Sequence, residues 1–247
     1  MLVLSLFPGI GLLDMAFEAE GFCVVRGPDL LWGGDIRRFH PPAGKFDGVI
    51  GGPPCQAFSP LRHLVEHNGH VVAENLIPEF ERCVREAEPQ WFLMENVPAA
   101  PAPIMPGYWI TRHDVVDVHV GGETTRKRAF HFGQVAVPSA HRRGLAIEWA
   151  ALCRSDPEPA ALASGGGSSP ATLRHGAIRK AQRRGGDPRS IGYKGRVQLA
   201  DHVRLQGLPM DFELPGFTVK GAISAIGNGV PLAMGRAIAR AVKLALA

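Results

Sequence analysis

Short apolar runs and amphipathic segments alternate along the first part of the chain. The apolar runs predict strands at residues 2–7, 23–26, 49–50 and 91–94. Apolar positions at helical spacing, such as Leu12, Leu13 and Ala16, predict helices at residues 12–19 and 75–86. Strands that alternate with helices are typical of α/β proteins. The pattern therefore predicts an α/β fold with helices on both faces of its sheet.

The later part of the chain contains a segment of different character. Further strands are predicted at residues 108–110, 115–118 and 125–132, and helices at residues 199–207 and 232–245. Between them, residues 134–195 are rich in proline, glycine and arginine and have no long periodic segment. We therefore predict a first domain at residues 1–133, a small irregular module at 134–195, and a return segment at 196–247 that completes the first domain.

Charge is distributed unevenly over these segments. The whole chain has a formal net charge of +4, whereas residues 134–195 alone carry +6, so the remainder sums to −2. A basic module on a slightly acidic body indicates a polyanionic partner at that module. A merely solvated basic surface would give the same count.

The composition is that of a soluble globular protein, with 45% hydrophobic and 20% charged residues. No apolar run approaches the ~18 residues of a membrane span, and the first residues lack the features of a signal peptide. The four cysteines form no Cys-x-x-Cys pair and have no His spacing suited to zinc. We therefore expect a cytoplasmic monomer without a metal or a membrane segment.

A conspicuous stretch of the chain is the turn that follows the predicted strand at residues 49–50. Two glycines, then Pro53 and Pro54, end this strand abruptly and are followed by Cys55. Ligands of open α/β sheets bind beyond the carboxyl ends of the strands, which is where this turn holds Cys55. Taken alone, Cys55 is equally well explained as a small buried apolar residue.

A second turn that could bind a ligand joins the first strand to the first helix. Gly9-Ile10-Gly11 would place backbone N–H groups and a helix amino terminus beside a ligand, although many α/β proteins have such a turn. Asp29 follows the second strand, where a carboxylate can accept both hydroxyl hydrogens of a ribose.

Several stretches resemble, in order, the motifs of the DNA (cytosine-5) methyltransferase family. They are Phe7-Pro-Gly-Ile-Gly11, Gly34-Asp-Ile36, the thirteen residues Asp47–Ser59, Glu95-Asn-Val97, Arg126-Lys-Arg128, Arg204-Leu-Gln-Gly-Leu-Pro209 and Ile226-Gly-Asn-Gly-Val-Pro231. The resemblance covers nearly the whole chain outside residues 134–195. It implies a Rossmann-like class I methyltransferase sheet, with residues 134–195 as the target-recognition domain.

The resemblance also implies the chemistry of the site. Cys55, presented by Pro54, would be the nucleophile that adds to C6 of cytosine, and Glu95 would donate a proton toward N3. Arg128 would contact the cytosine O2, with Arg126 as the second candidate because strand alternation puts both on one face. Burial beside Trp91 would favour the protonated form of Glu95.

The methyl donor implied by the resemblance is S-adenosyl-L-methionine. The residues expected to bind it are Phe7, Gly9, Ile10, Gly11, Asp29, Asp35, Ile36, Pro53, Leu76, Asn228 and Val230.

The macromolecular partner implied by the resemblance is double-stranded DNA, with the target base flipped out of the helix. The residues expected to contact the DNA are Gln56, Ser59, Thr172, Arg174, Arg179, Arg183 and Arg184. Arginine favours guanine, so these residues predict a short G·C-rich target of about two to four base pairs.

The chain departs from the family pattern at three places. Ser5 stands where the family usually has an acidic residue, and Thr124 replaces a glutamine. The helix that normally follows Asp29 is missing, so Trp32 could stack on the adenine or simply cover the edge of the core.

Three alternatives stay open from the residues alone. The transfer-RNA-methylating branch of the family has the same chemistry on another polymer, but its Cys-Phe-Thr pattern is not found here. A catalytically inactive DNA-binding homologue and a modified adenosylmethionine donor are the other two. A restriction-modification or phage context fits the compact chain.

Overall fold

The protein is described by a computed structural model over residues 1–58, 74–136, 144–152 and 199–247. The described residues form two compact units. The first draws on Met1–Val115, Lys127–Glu148 and Gly235–Ala247, and the second on Val116–Arg126 and Trp149–Met234.

A mixed sheet is the centre of the first unit. Its strands are β1 (Leu2–Leu6), β2 (Cys23–Arg26), β3 (Gly48–Gly51), β4 (Trp91–Asn96), β5 (Tyr108–Val116) and β6 (Lys127–Val135), in the order β2-β1-β3-β4-β6-β5. The first four strands run parallel, and β6 is antiparallel to β4. The carboxyl ends of the parallel strands therefore meet at one edge, where the two predicted turns lie.

Both faces of the sheet are packed, because successive side chains of a strand point to opposite sides. On one face, Trp91 stacks on Phe17 of helix α1 (Leu12–Ala19) with 6.4 Å between ring centroids. On the other face, Phe92 meets Phe80 of helix α2 (Ile77–Ala87) edge-on at 6.0 Å. Each of these aromatic side chains is almost fully buried. Burial of such rings supplies much of the stabilisation of a core of this size.

The remaining helices are α3 (Leu199–Leu205), α4 (Val219–Asn228) and α5 (Leu232–Ala245). Short 3₁₀ turns occur at Leu30–Trp32, Ile36–Arg38, Gln56–Phe58 and Asp117–Val120. Helix α4 begins with a Thr218 side chain that accepts a hydrogen bond from the Gly221 N–H, a standard amino-terminal cap.

The α/β fold predicted from the sequence is confirmed, and helices α1 and α5 and strand β2 have the predicted bounds. The two strands predicted at residues 108–110 and 115–118 were wrong in detail, since one strand covers residues 108–116 and a 3₁₀ turn follows it. Helix α4 was not predicted, because glycines at 221 and 227 weaken its apolar pattern. Strand β6 extends two residues past the predicted domain end at residue 133.

Candidate active site

The turn after β3 presents Cys55 at the carboxyl edge of the sheet. Strand β3 ends at Gly51, and Cys55 precedes the 3₁₀ turn Gln56–Phe58, whose last N–H donates to the Cys55 carbonyl at 2.9 Å. The buried Asn96 amide donates from Nδ2 to the carbonyl oxygen of Pro53 at 3.1 Å. Asn96 ends β4, so this hydrogen bond ties the cysteine turn to the neighbouring strand. The sequence prediction did not assign this role to Asn96.

Glu95 and Arg128 form an ion pair between strands β4 and β6. Glu95 lies opposite Phe130 in the antiparallel register, so Arg128, two residues away, is on the same face. Arg128 Nε lies 2.8 Å from Glu95 Oε1, and the side chains are only 10% and 12% exposed. The Arg128 guanidinium group therefore faces the Glu95 carboxyl group across the two paired strands.

Gly52 brings the Glu95 carboxylate against the cysteine turn. A Cβ atom at residue 52 would lie 2.9 Å from Glu95 Oε2, which is closer than normal van der Waals contact. The backbone of the turn therefore needs glycine here so that the carboxylate can approach it. Cys55, Glu95 and Arg128 all belong to the first unit, and this close contact connects the turn to the ion pair.

The turn between β1 and α1 has an unusual backbone. Phe7, Gly9 and Gly11 have φ angles of 55°, 56° and 83°, all in the left-handed region. This region is uncommon for a bulky residue such as Phe7, and such strain occurs often at ligand-binding turns. No atom lies within 4 Å of where a Cβ at Gly9 would be, so the backbone there is open to a ligand. Ile10 lies between the two glycines and is partly exposed.

The segment after β2 is hydrogen-bonded to the backbone of this turn at Gly9. Asp29 accepts hydrogen bonds from the Gly9 N–H and the Leu31 N–H, each at 2.8 Å. Trp32 donates from Nε1 to the Gly9 carbonyl at 2.7 Å, and 61% of its surface is exposed. The structure thus places Trp32 beside the glycine turn, with much of its indole available to a ligand.

Asp35 and Ile36 lie on the next segment of the same edge. Asp35 caps the 3₁₀ turn Ile36–Arg38, accepting from the Arg37 N–H and Nε at 3.0 Å. The Arg37 guanidinium lowers the pKa of Asp35. Ile36 is buried with Leu76 in one apolar cluster, and Arg82 donates to the Ile36 carbonyl at 2.8 Å. These contacts fix the backbone that carries Asp35.

Ser5, which stands where the family usually has an acidic residue, is paired with a carboxylate of helix α1. Ser5 is buried and its hydroxyl donates to Asp14, which is also fully buried. Arg26 Nε lies 2.9 Å from the other carboxylate oxygen of Asp14. Burial raises the pKa of Asp14 in spite of these partners. The sequence reading missed Asp14 because position 14 lies outside the resembled motif.

Arg126, Asn228 and Val230 lie in the second unit. Arg126 donates from Nη1 to the Gly227 carbonyl and from Nη2 to the Asn228 carbonyl, the latter at 3.1 Å. Asn228 is exposed, whereas Val230 is buried. Thr124 is buried and donates from its hydroxyl to Asp117 at 2.6 Å.

The other predicted contacts are only partly within the described residues. Gln56 is exposed at the start of its 3₁₀ turn. The remaining DNA contacts lie outside the described residues: Ser59, Thr172, Arg174, Arg179, Arg183 and Arg184. Where the chain is described, no group of three or more His, Cys, Asp or Glu side chains could hold a metal ion. None of the described helices is long and apolar enough to cross a membrane.

Comparison with known proteins identifies sequence relatives of part of the chain. The model of C-5 cytosine-specific DNA methylases matches residues 33–102. Type II methyltransferase M.FnuDI of Fusobacterium nucleatum is 34% identical over 116 residues, which is 39% of this chain and 32% of that protein. Type II methyltransferase M.NgoPII of Neisseria gonorrhoeae is 32% identical over 118 residues, covering 39% and 33%. The chain thus spans about a third of the length of these two curated relatives.

Solved structures resemble the chain over its full length. Entamoeba histolytica methyltransferase EhMeth gives a TM-score of 0.62 at 13% identity, covering 100% of this chain and 99% of that one. A mutant of Spodoptera frugiperda Dnmt2 gives 0.62 at 14% identity, with the same coverage. At such low identity the likeness concerns the fold, and it agrees with the Rossmann-like sheet described above.

Proposed function

Because residues 33–102 match the model of C-5 cytosine-specific DNA methylases, we propose that the chain belongs to this family and transfers a methyl group from S-adenosyl-L-methionine to C5 of cytosine in DNA. The observation that supports this most strongly is the cysteine turn, tied by Asn96 to the strand that ends with Glu95. The Glu95–Arg128 ion pair lies on that strand and its neighbour.

Cys55 performs the first step of the proposed reaction. Its thiolate adds to C6 of the cytosine ring, so that a carbon–sulfur bond forms and the electron pair of the C5–C6 double bond moves toward N3. The resulting enamine makes C5 nucleophilic. S-Adenosyl-L-methionine, when bound, supplies the methyl group that C5 accepts. The Cys55 sulfur therefore has to reach a base at the edge of the sheet. The Pro53-Pro54 turn suits this requirement because it places Cys55 beyond the end of the strand.

Glu95 and Arg128 stabilise the charge that accumulates on the ring. In our proposal Arg128 meets O2, and Glu95 delivers to N3 a proton taken up as the base enters. The two side chains are paired with each other, and their attraction offsets part of the cost of burying each charge. After methylation, a base removes the C5 proton, N3 returns its proton to Glu95, and the Cys55 sulfur leaves as thiolate.

The residues around the glycine turn fit the methyl donor. Open backbone at Gly9 suits close approach of a ligand, and Asp29 retains lone pairs for a ribose diol. The remaining expected donor-binding residues of the first unit are Phe7, Ile10, Gly11, Asp35, Ile36, Pro53 and Leu76. We expect Asn228 and Val230 to complete the set.

Double-stranded DNA is the proposed substrate, with the target cytosine flipped out because C5 is inaccessible in a stacked duplex. Gln56 and Ser59 would contact the DNA beside the base, and the basic segment at residues 134–195 would bind in the grooves of the DNA. RNA is the second candidate, since the fold is shared with Dnmt2 and the transfer-RNA-methylating branch has the same chemistry.

The test is methylation with isotopically labelled donor, using unmodified plasmid and unmodified transfer RNA in parallel. Label in plasmid alone, mapped to cytosine by bisulfite sequencing, is the expected result. Label in transfer RNA alone would transfer the proposal to RNA. Absence of label in both polymers, with a folded protein, would contradict the proposed activity.

A further inference from the structure

Two buried side chains hold the carboxyl end of helix α4, in the second unit. Arg126 donates to the carbonyls of Gly227 and Asn228. Gln206 donates from Nε2 to the carbonyls of Ile226 at 2.5 Å and Gly229 at 3.2 Å. Four consecutive carbonyl oxygens, from residues 226 to 229, are thus bound by two side chains.

This is not how a helix normally ends. A common ending closes on a glycine in the left-handed region, which satisfies the last carbonyls through the backbone. Here Gly229 has φ −71° and ψ 164°, an extended conformation, so the chain leaves the helix without that closure. The Gly229 N–H still donates to the Ile226 carbonyl at 3.2 Å, whereas the carbonyls of Gly227 and Asn228 are bound by Arg126, a residue remote in sequence. A guanidinium group at this end is also favoured by the helix dipole.

Both residues are buried, and hydrogen bonds hold the backbone of each. Arg126 is 5% exposed, its N–H donates to the Thr124 hydroxyl at 3.4 Å, and its carbonyl accepts from the Asp117 N–H at 2.9 Å. Thr124 in turn is bound to the buried Asp117 carboxylate at 2.6 Å. Gln206 is fully buried, and its carbonyl accepts from the Leu232 N–H at 3.0 Å. The backbone on which each side chain is mounted is thus fixed by contacts of its own, and both side chains are buried.

We propose that Arg126 and Gln206 are positioning residues that set the residue 226–229 backbone so that the exposed Asn228 side chain can bind the methyl donor. The inference rests on the proposed function, because it takes donor binding as the role of Asn228. It assigns Arg126 a role different from contact with the cytosine O2, which is left to Arg128. Thr124, where the family has glutamine, then serves to hold Arg126.

Direct donor binding tests this assignment. S-Adenosylhomocysteine is titrated calorimetrically into the parent protein, Arg126→Lys and Gln206→Met, with Arg204→Lys as the matched control. Arg204 belongs to the same unit but makes an exposed ion pair with Glu123. Loss of a hydrogen bond to a charged group predicts roughly tenfold weaker binding for Arg126→Lys, and Gln206→Met should weaken it several-fold. The control should match the parent.

A second readout separates positioning from contact with the base. Without any donor, the Cys55 thiolate adds to C6, C5 takes up a proton from water and loses its tritium, and the thiolate leaves again. Release of tritium from C5 of cytosine in DNA thus reports reversible addition of Cys55 without methyl transfer. We expect Arg126→Lys to retain the parental release rate within about twofold, whereas Arg128→Lys should reduce it strongly. Two results would overturn the inference. One is parental affinity for S-adenosylhomocysteine in both Arg126→Lys and Gln206→Met. The other is loss of tritium release in Arg126→Lys while its affinity is unchanged.

The remaining outcomes are also decisive. If the parent binds no S-adenosylhomocysteine, the proposed function itself fails and the inference fails with it. Circular dichroism melting checks each variant, and Gln206→Met decides if Arg126→Lys does not fold. Loss of folding in both would contradict a local positioning role.

Discussion

Replacing Gly52 by alanine should reduce catalysis while leaving the fold intact. The new Cβ would lie 2.9 Å from Glu95 Oε2, so the carboxylate has to retreat by about 0.5 Å to reach ordinary contact. The atom that must move is the end of a flexible side chain, and Gly52 is not in the left-handed region. The backbone therefore accepts alanine without strain.

The cost follows from the ion pair that the carboxylate makes. Glu95 Oε1 lies 2.8 Å from Arg128 Nε in a largely buried setting. Hydrogen bonds to charged groups contribute about 1.5–3 kcal/mol, and a displaced carboxylate should lose only part of this. We therefore expect the methyl-transfer rate to fall by about tenfold, corresponding to about 1.4 kcal/mol.

The assay is single-turnover methyl transfer at saturating donor and DNA, together with thermal unfolding. Gly144→Ala is the matched control, because its Cβ would have its nearest neighbour at 3.7 Å, an ordinary contact. We expect the control to react at the parental rate. A parental rate in Gly52→Ala would refute the argument, as would a rate loss that is accompanied by a collapse of the melting temperature.

Three further predictions concern other parts of the protein. Trp32→Ala should weaken binding of S-adenosylhomocysteine about fivefold, as calorimetry would show, whereas unchanged affinity would exclude stacking by the exposed indole. Burial lowers the pKa of His131 to about 4, so stability should fall as the pH falls from 6.5 to 4, where only the unfolded chain binds the proton. His131→Met should flatten this fall in melting temperature, and an unaltered pH profile would show that His131 is not its source. Methylation of a randomised DNA library should reveal a G·C-rich target of about two to four base pairs, and a target of six defined positions would contradict this. Alanine should relax the preference at one position where the arginine reads a base, and should weaken all sites alike where it holds a phosphate; the residues to change singly are Arg174, Arg179, Arg183 and Arg184.

Sequence reasoning succeeded where a local pattern determines the structure. The left-handed backbone at residues 9 and 11 favours glycine, and the spacing of apolar residues in α1 predicted where that helix begins and ends. The juxtaposition of the Cys55 turn and Glu95 follows from parallel strands that end at one edge.

Contacts between residues distant in sequence could not be predicted in the same way. Asp14 supplies a buried carboxylate to Ser5 from another element. Alternation along β6 put Arg126 and Arg128 on one face, but Arg126 precedes that strand and its guanidinium binds the end of α4. The ion pair between Glu95 and Arg128 likewise depends on strand pairing that periodicity alone does not specify.

The central claim is that the Cys55 sulfur bonds to C6 of a cytosine. The most direct test incubates the protein and S-adenosyl-L-methionine with DNA containing 5-fluorocytosine, in which C5 has no removable hydrogen, so elimination cannot occur. We predict a denaturant-stable adduct whose peptide mass maps to Cys55, and none with Cys55→Ser. An active protein that forms no adduct, or one that maps to another residue, would contradict the account.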